Sequence, residues 1–204
     1  MKKAIDMRND SQKFLGVVRE LYGRVAWTHK THEKDREIWS RRVCLTRWIN
    51  VVLIGITSIL ATVGAISNSQ IIFVVTSIVG AVSTAFVVYQ LSFNPEKTEA
   101  EHRMAAKRLL YLRDQYLILI QEAMSERTSI QQLQNKLESL HREASIVYEY
   151  APDSSSKAYM AASEALKTKE ELTFSREEID MLLPEDLRLT STKPREIEEG
   201  ETKG

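Results

Sequence analysis

The sequence predicts an all-α membrane protein: a two-helix transmembrane hairpin carried by long polar helical arms. Three observations lead there. No charged residue stands between Arg47 and Glu96. That gap divides at Ser67-Asn68-Ser69-Gln70 into two apolar runs, Ile49–Ile66 and Ile71–Leu91, each close to the roughly 20 helical residues that cross a hydrocarbon core. Outside the gap, apolar residues recur at alternating three- and four-residue spacing, and no useful strand-like alternation is found. A helix exposed to water needs a polar face, so a charge-free stretch of this length suits lipid better than a soluble core.

The elements follow in order. Residues 1–47 read as an N-terminal helical arm. Met1-Lys2-Lys3 is not followed by an apolar segment, so no signal peptide is expected, and the hairpin itself is the targeting element. The arm is expected to turn helical near Asp10 or Ser11, either of which suits an N-cap. Phe14, Val18, Leu21 and Val25 then form a seam for a partner helix. Beyond Trp27 the segment becomes highly charged, while Ile38, Trp39 and Val43 keep an apolar edge. Residues 48–93 are the hairpin, with spans at 49–66 and 71–91. Trp48 and Tyr89 stand at one end of it, where amphipathic rings favour the interface.

Asn94-Pro95 predicts a break with proline in a first helical turn. Residues 94–183 read as the second arm. Ala105, Leu109, Leu112, Tyr116, Leu119 and Ala123 continue in register to Ile130, Leu133, Leu137, Leu140, Ala144 and Val147, with Glu126 the one charged seam position. So sustained a repeat predicts a coiled coil or bundle, with Thr128-Ser129 a possible new start. Pro152 ends the helix. Asp153-Ser154-Ser155-Ser156 reads as a loop and cap for a helix over about Lys157–Glu171, bearing Ala158, Ala161, Ala162 and Ala165. Ser175-Arg176-Glu177-Glu178 has the form of a capping box. The tail, 184–204, is polar and is expected to be disordered.

Composition narrows function. The 28 basic and 28 acidic residues balance, so nothing attracts nucleic acid, and no direct nucleic-acid binding is expected. The single cysteine, Cys44, forms no internal disulfide, and burial as a small apolar residue is preferred over lipidation. His29 and His32 lie one turn apart beside Glu33, but zinc needs three or four protein ligands, so a solvated charged helix is the reading taken. His102 and His141 are too isolated to change it. The serine run has no base placed beside it, and helix capping explains it better than nucleophilic chemistry. No phosphate loop or paired-carboxylate motif is present. Neither metal, cofactor nor catalytic residue is therefore expected.

The spans carry more signal. Asn50, Thr57, Ala61 and Gly64 fall along one face of the first, and Thr76, Gly80, Ser83 and Gln90 along one face of the second. Small and hydroxyl residues let helices approach and bond across an interface. These stripes either pack the spans together, the preferred reading, or line a water-filled path in an oligomer. The arm seam Leu109, Leu112, Tyr116 and Leu119 folds back within a chain or pairs between chains; a single hairpin encloses no pore, so a channel requires the second.

This layout resembles the SLATT family, the two-transmembrane effector domain of bacterial nucleotide-signalling and antiphage systems. The resemblance rests on Asp35-Arg36-Glu37-Ile38-Trp39 before the hairpin, on Ala100-Glu101-His102-Arg103 through Arg113 after it, and on Tyr148-Glu149-Tyr150-Ala151-Pro152 ahead of a helix with Tyr159. It spans roughly Asp10 to Leu172. It implies a pore-forming effector of the inner membrane, a homo-oligomer contacting membrane lipids and triggered by an upstream immune sensor: a nucleotide synthase, a nucleotide sensor or a reverse-transcriptase system. No added nucleotide-binding domain is found, which favours gating by a partner protein or by the arms. Basic residues on both flanks (Arg41, Arg42, Arg47; Lys97, Arg103, Lys107, Arg108) and an uncharged turn predict that both termini are cytoplasmic. The rival reading is a non-conducting scaffold whose arms recruit cytoplasmic partners.

Overall fold

The computed structural model describes residues 2–125, 127–184 and 188, with side chains from residue 11 onward. Glu126 and nearly all of the 184–204 tail lie outside the described residues. All regular structure among the described residues is helical: α1 (Lys2–Ser67), α2 (Gln70–Phe93), α3 (Pro95–Met124), α4 (Ile130–Tyr150), α5 (Ser156–Lys167) and α6 (Arg176–Leu182).

The first arm and the first span form one uninterrupted helix of 66 residues. Neither Asp10 nor Ser11 caps it, because the helix already begins at Lys2. Two residues turn the chain into α2, with Asn68 in the left-handed region at φ 49°. Asparagine tolerates that conformation better than most side chains. At the far end Asn94, φ 38°, serves both flanking helices. Its N–H donates to the Gln90 carbonyl, closing α2, while its side-chain oxygen accepts from the Lys97 N–H, opening α3 with Pro95 in the first turn. Thus the expected break is a one-residue joint.

The seam that runs unbroken through the sequence belongs to two helices. Ser129 caps α4 in a reciprocal box with Gln132. The chain reverses, so that Lys136 Nζ meets Glu122 at 2.6 Å, Leu119 lies near Leu140 and Leu112 near Val147. Helices α3 and α4 are therefore antiparallel neighbours, and α1 lays its N-terminal half against them. Phe14, Val18, Val25, Leu109, Leu112, Tyr116, Leu119, Leu133, Ala144 and Val147 share one core. Leu109 and Tyr116 are fully buried, and Leu112 and Leu119 are 2% exposed, all within one chain. The four residues considered as an oligomerisation seam are filled from inside the molecule.

The chain divides into two compact units, 1–163 and 164–204. In the second, Ser175 and Glu178 form the predicted capping box at the start of α6.

Candidate functional site in the hairpin and the junction beside it

The two spans meet through the stripes singled out in the sequence. Asn50 Nδ2 donates to Gln90 Oε1 at 2.7 Å, and Gln90 Nε2 donates to the Thr46 carbonyl at 3.2 Å. Thr57 and Ser83 bring their hydroxyls to 3.5 Å. Thr57, Thr76 and Ser83 also donate to carbonyls one turn back, which satisfies each hydroxyl within its own helix. Gly64 marks the closest approach: a Cβ there would come within 3.1 Å of Ile72 Cγ2. Gly80 has more room, since a Cβ would meet Thr57 Cγ2 at 3.9 Å. Ala61 differs from the rest of its stripe and is exposed.

Crowding at Gly64 sets an expected result. Gly64→Leu pushes the spans apart at the turn, whereas Gly80→Ala fits in ordinary contact. A cysteine pair at Thr57 and Ser83, whose hydroxyls lie 3.5 Å apart, should crosslink in the parent and in Gly80→Ala, and much less in Gly64→Leu. Equal crosslinking in all three would remove Gly64 as the contact point.

Where α1 and α3 run side by side next to the hairpin, the interface turns polar. His29, His32, Asp35 and His102 are 6%, 3%, 1% and 2% exposed. His32 and His102 set their Nδ1 atoms 3.0 Å apart, so one ring donates and the other accepts. The His29 Nδ1–H donates to the Ala106 carbonyl at 2.9 Å. Asp35 receives the loop before α5: Ser155 N–H donates to Oδ2 at 2.9 Å and its hydroxyl to Oδ1 at 2.6 Å. The same hydroxyl accepts from the Ala158 N–H at 3.1 Å, completing the α5 cap. The Trp27 and Tyr159 rings meet nearby in a tilted arrangement, with centres 5.5 Å apart.

Burial dominates the titration of this cluster. It lowers His32 from its ordinary 6.5 to about 4, with His102 adding to the effect and Asp35 opposing it. Burial likewise lowers His102, against Asp35 and Glu101, and lowers His29, against its bond to Ala106 and the Glu33 charge. The sign of the linkage follows. Between pH 6.5 and about 4 the unfolded chain binds a proton at His32 that the folded chain refuses. This contribution to stability is intact above pH 6.5 and declines as the pH falls toward 4. At the lower end the loss amounts to about 3 kcal/mol. Thermal melts from pH 7.5 to 4.5 should show a falling Tm that is shallower in His32→Gln; equal slopes would remove His32 as the cause.

The expectations for the histidines, the serine run and Cys44 meet the structure here. His29, His32 and His102 are neither solvated nor isolated, because antiparallel packing brings α3 over α1 and sets position 102 against position 32. Ser155 does have an acidic partner, though 120 positions away, and the pair anchors a loop, as capping implied. Cys44 is also exposed instead of buried, since Val43 beside it takes the inward position at 8% exposure. The signal for the histidines was present in the register: Phe14, Val18, Leu21 and Val25 continue at the same spacing to Thr28, His32, Asp35 and Trp39, and Ala105 steps back three residues to His102. Among the described residues no group of three or more histidine, cysteine or acidic side chains is arranged to hold a metal.

An arm of packed helices feeding directly into two long apolar helices is the architecture expected of a two-transmembrane effector. The windows that mark those helices have mean hydropathies of 2.2 and 2.5 and are 6% and 0% buried, so their apolar surface faces outward. Water would not tolerate that surface on a lone chain. The sequence profile of the SMODS and SLOG-associating 2TM effector domain family 4 matches residues 14–178. The chain belongs to that family, SLATT family 4. No curated protein and no solved structure matches it. The SLATT match covers the bundle, both spans, the histidine junction and its Asp35–Ser155 anchor, and extends into α6. The protein is accordingly a membrane protein of an effector family tied to nucleotide-signalling systems.

Proposed function

We propose that this SLATT chain is a pore-forming effector of a bacterial antiphage system. It assembles as a homo-oligomer in the inner membrane and permeabilises that membrane when an upstream sensor fires. The observation that carries the reading is a second set of small and hydroxyl residues on the outward side of each span. Gly55, Ser58, Thr62 and Ala65 are exposed on α1, and Ser77, Ala81 and Thr84 on α2. Ser58, Thr62, Ser77 and Thr84 donate to carbonyls one turn back, so what they offer a neighbouring hairpin or a water-filled path is outward-facing acceptor oxygen beside small residues. The arm seam is filled within the chain, so contacts between subunits fall to these outward span faces and not to Leu109, Leu112, Tyr116 and Leu119, and the non-conducting scaffold stands as the rival reading.

Induced expression should depolarise the cell and admit a small dye, and Ser58→Leu with Thr62→Leu should abolish both at equal membrane levels. A chain that inserts fully yet leaves the potential unchanged would be a scaffold, and the pore reading would fall. No catalytic group is assigned to the effector action.

The proposed topology places both termini and the helical bundle in the cytoplasm and the Asn68–Ser69 turn outside. Basic residues flank both inner ends, and the turn has none. Fusions at Met1 and Gly204 to a reporter active only in the cytoplasm should both be active; activity of an exported reporter at either end would reverse the topology.

A further inference from the structure

A groove of about 330 Å³ opens where the bundle meets the first span. Its lining is divided by chemistry. Val43, Cys44, Trp48 and Val51 form an apolar side, and Ser40, Arg47, Glu99 and Arg103 a polar one. Along α1 the lining runs from Ser40 to Val51, roughly 16 Å at the helical rise. Val51 lies inside the apolar run, Trp48 at its edge and Ser40 beyond it. The groove therefore crosses the boundary between hydrocarbon and headgroups, where tryptophan is favoured. It rests on the hairpin lying in a membrane and does not depend on the pore.

Charge decides what fits. Arg47 pairs with Glu96 at 2.9 Å, and Arg103 pairs with Glu99 at 2.6 Å. The lining itself holds Arg47, Arg103 and Glu99, and Glu96, held beside it by Arg47, brings the two guanidiniums and two carboxylates into balance, which gives no preference to an anionic headgroup. Alternating signs instead match a headgroup carrying both. We propose that this groove is a binding site for a phospholipid with a primary-ammonium zwitterionic headgroup, phosphatidylethanolamine. Arg47 and Arg103 face the phosphate, with the planar donor geometry that suits phosphate oxygens. The ammonium lies against the carboxylates of Glu96 and Glu99, to which it donates hydrogen bonds. One acyl chain follows Trp48 and Val51 into the bilayer. A quaternary ammonium has no N–H, so phosphatidylcholine loses those bonds. At the lower end of the usual range for small-molecule sites, the volume suits a headgroup and not a whole lipid.

The full-length chain is equilibrated in nanodiscs containing equal amounts of phosphatidylethanolamine, phosphatidylcholine and phosphatidylglycerol. It is then extracted gently, and the lipid retained per chain is measured by native mass spectrometry. Phosphatidylethanolamine should be enriched about tenfold over either competitor, the worth of one charge-assisted contact set. Arg103→Gln and Glu99→Gln should each abolish the preference, Arg103→Lys should restore part of it, and Lys136→Gln, remote on α4, should leave it intact. Melting curves identify any variant that has lost its fold; for such a variant Glu96→Gln, on the exposed Arg47–Glu96 pair, replaces it in the comparison. Preference for phosphatidylglycerol, equal retention of all three lipids, or an unchanged preference in folded Arg103→Gln would overturn the assignment.

Discussion

Leu112→Asp is expected to unfold the helical bundle and leave the spans without their supporting arm. Leu112 is 2% exposed and packs in the core shared by α1, α3 and α4. Truncating such a residue costs 2–5 kcal/mol through the cavity alone, and an unpaired carboxylate adds its desolvation. A loss of about 4 kcal/mol or more takes most of a domain stability at the lower end of the usual range, about 5 kcal/mol. Circular dichroism of the detergent-solubilised variant should show lost helicity and early melting, and Leu119→Asp should behave alike. The same experiment separates the two uses of the seam. A folded Leu112→Asp variant that merely elutes as a smaller particle would mean that Leu109, Leu112, Tyr116 and Leu119 face another subunit.

Asp35→Ala should have the next largest effect, and through a different route. The carboxylate is 1% exposed and holds both the amide and the hydroxyl of Ser155. Removing it strands two donors and deletes the negative charge that offsets burial at His32 and His102. The cost is roughly 3 kcal/mol, as for other buried charged hydrogen-bond partners. Amide exchange over 151–158 should rise sharply, and proteolysis should begin in the Asp153–Ser156 loop. Ser155→Ala should reproduce the loop opening with a smaller loss of stability. If the loop keeps its protection in Asp35→Ala, the anchor is not what holds it.

These residues also show where sequence reasoning succeeds and where it stops. The hairpin was legible because the absence of charge from Trp48 to Pro95 has few physical explanations. The break at Asn94-Pro95 was legible because a proline in a first turn is a local signal, whereas Ser129 offered only an alternative to a register that runs through it. The polar junction was not, because periodicity is sought among apolar residues, and the α1 seam passes from Val25 into Thr28, His32 and Asp35. A histidine in such a register looks solvated until its partner is known, and the partner here is His102, 70 positions later. The two uses of the α3–α4 seam were equally beyond reach. A long straight helix and two helices folded back present the same three-and-four spacing; only the antiparallel pairing of α3 with α4 distinguishes them.

The unbroken α1 gives the molecule one stiff shaft. At 66 residues it is roughly 100 Å long, with no swivel between Phe14 in the bundle and Ile66 at the turn. Torque applied to its arm therefore arrives in the membrane as rotation of the first span. Its companion is built otherwise, since α2 and α3 are joined through Asn94 at φ 38°. One side of the hairpin is continuous and the other is jointed, so any rotation of the bundle would reach the two spans unequally. Such a mechanism needs no ligand site in the membrane and no break in a helix. It needs only a grip on the arm, and Asn94→Gly, which loosens the joint without touching α1, should widen the difference between the two spans.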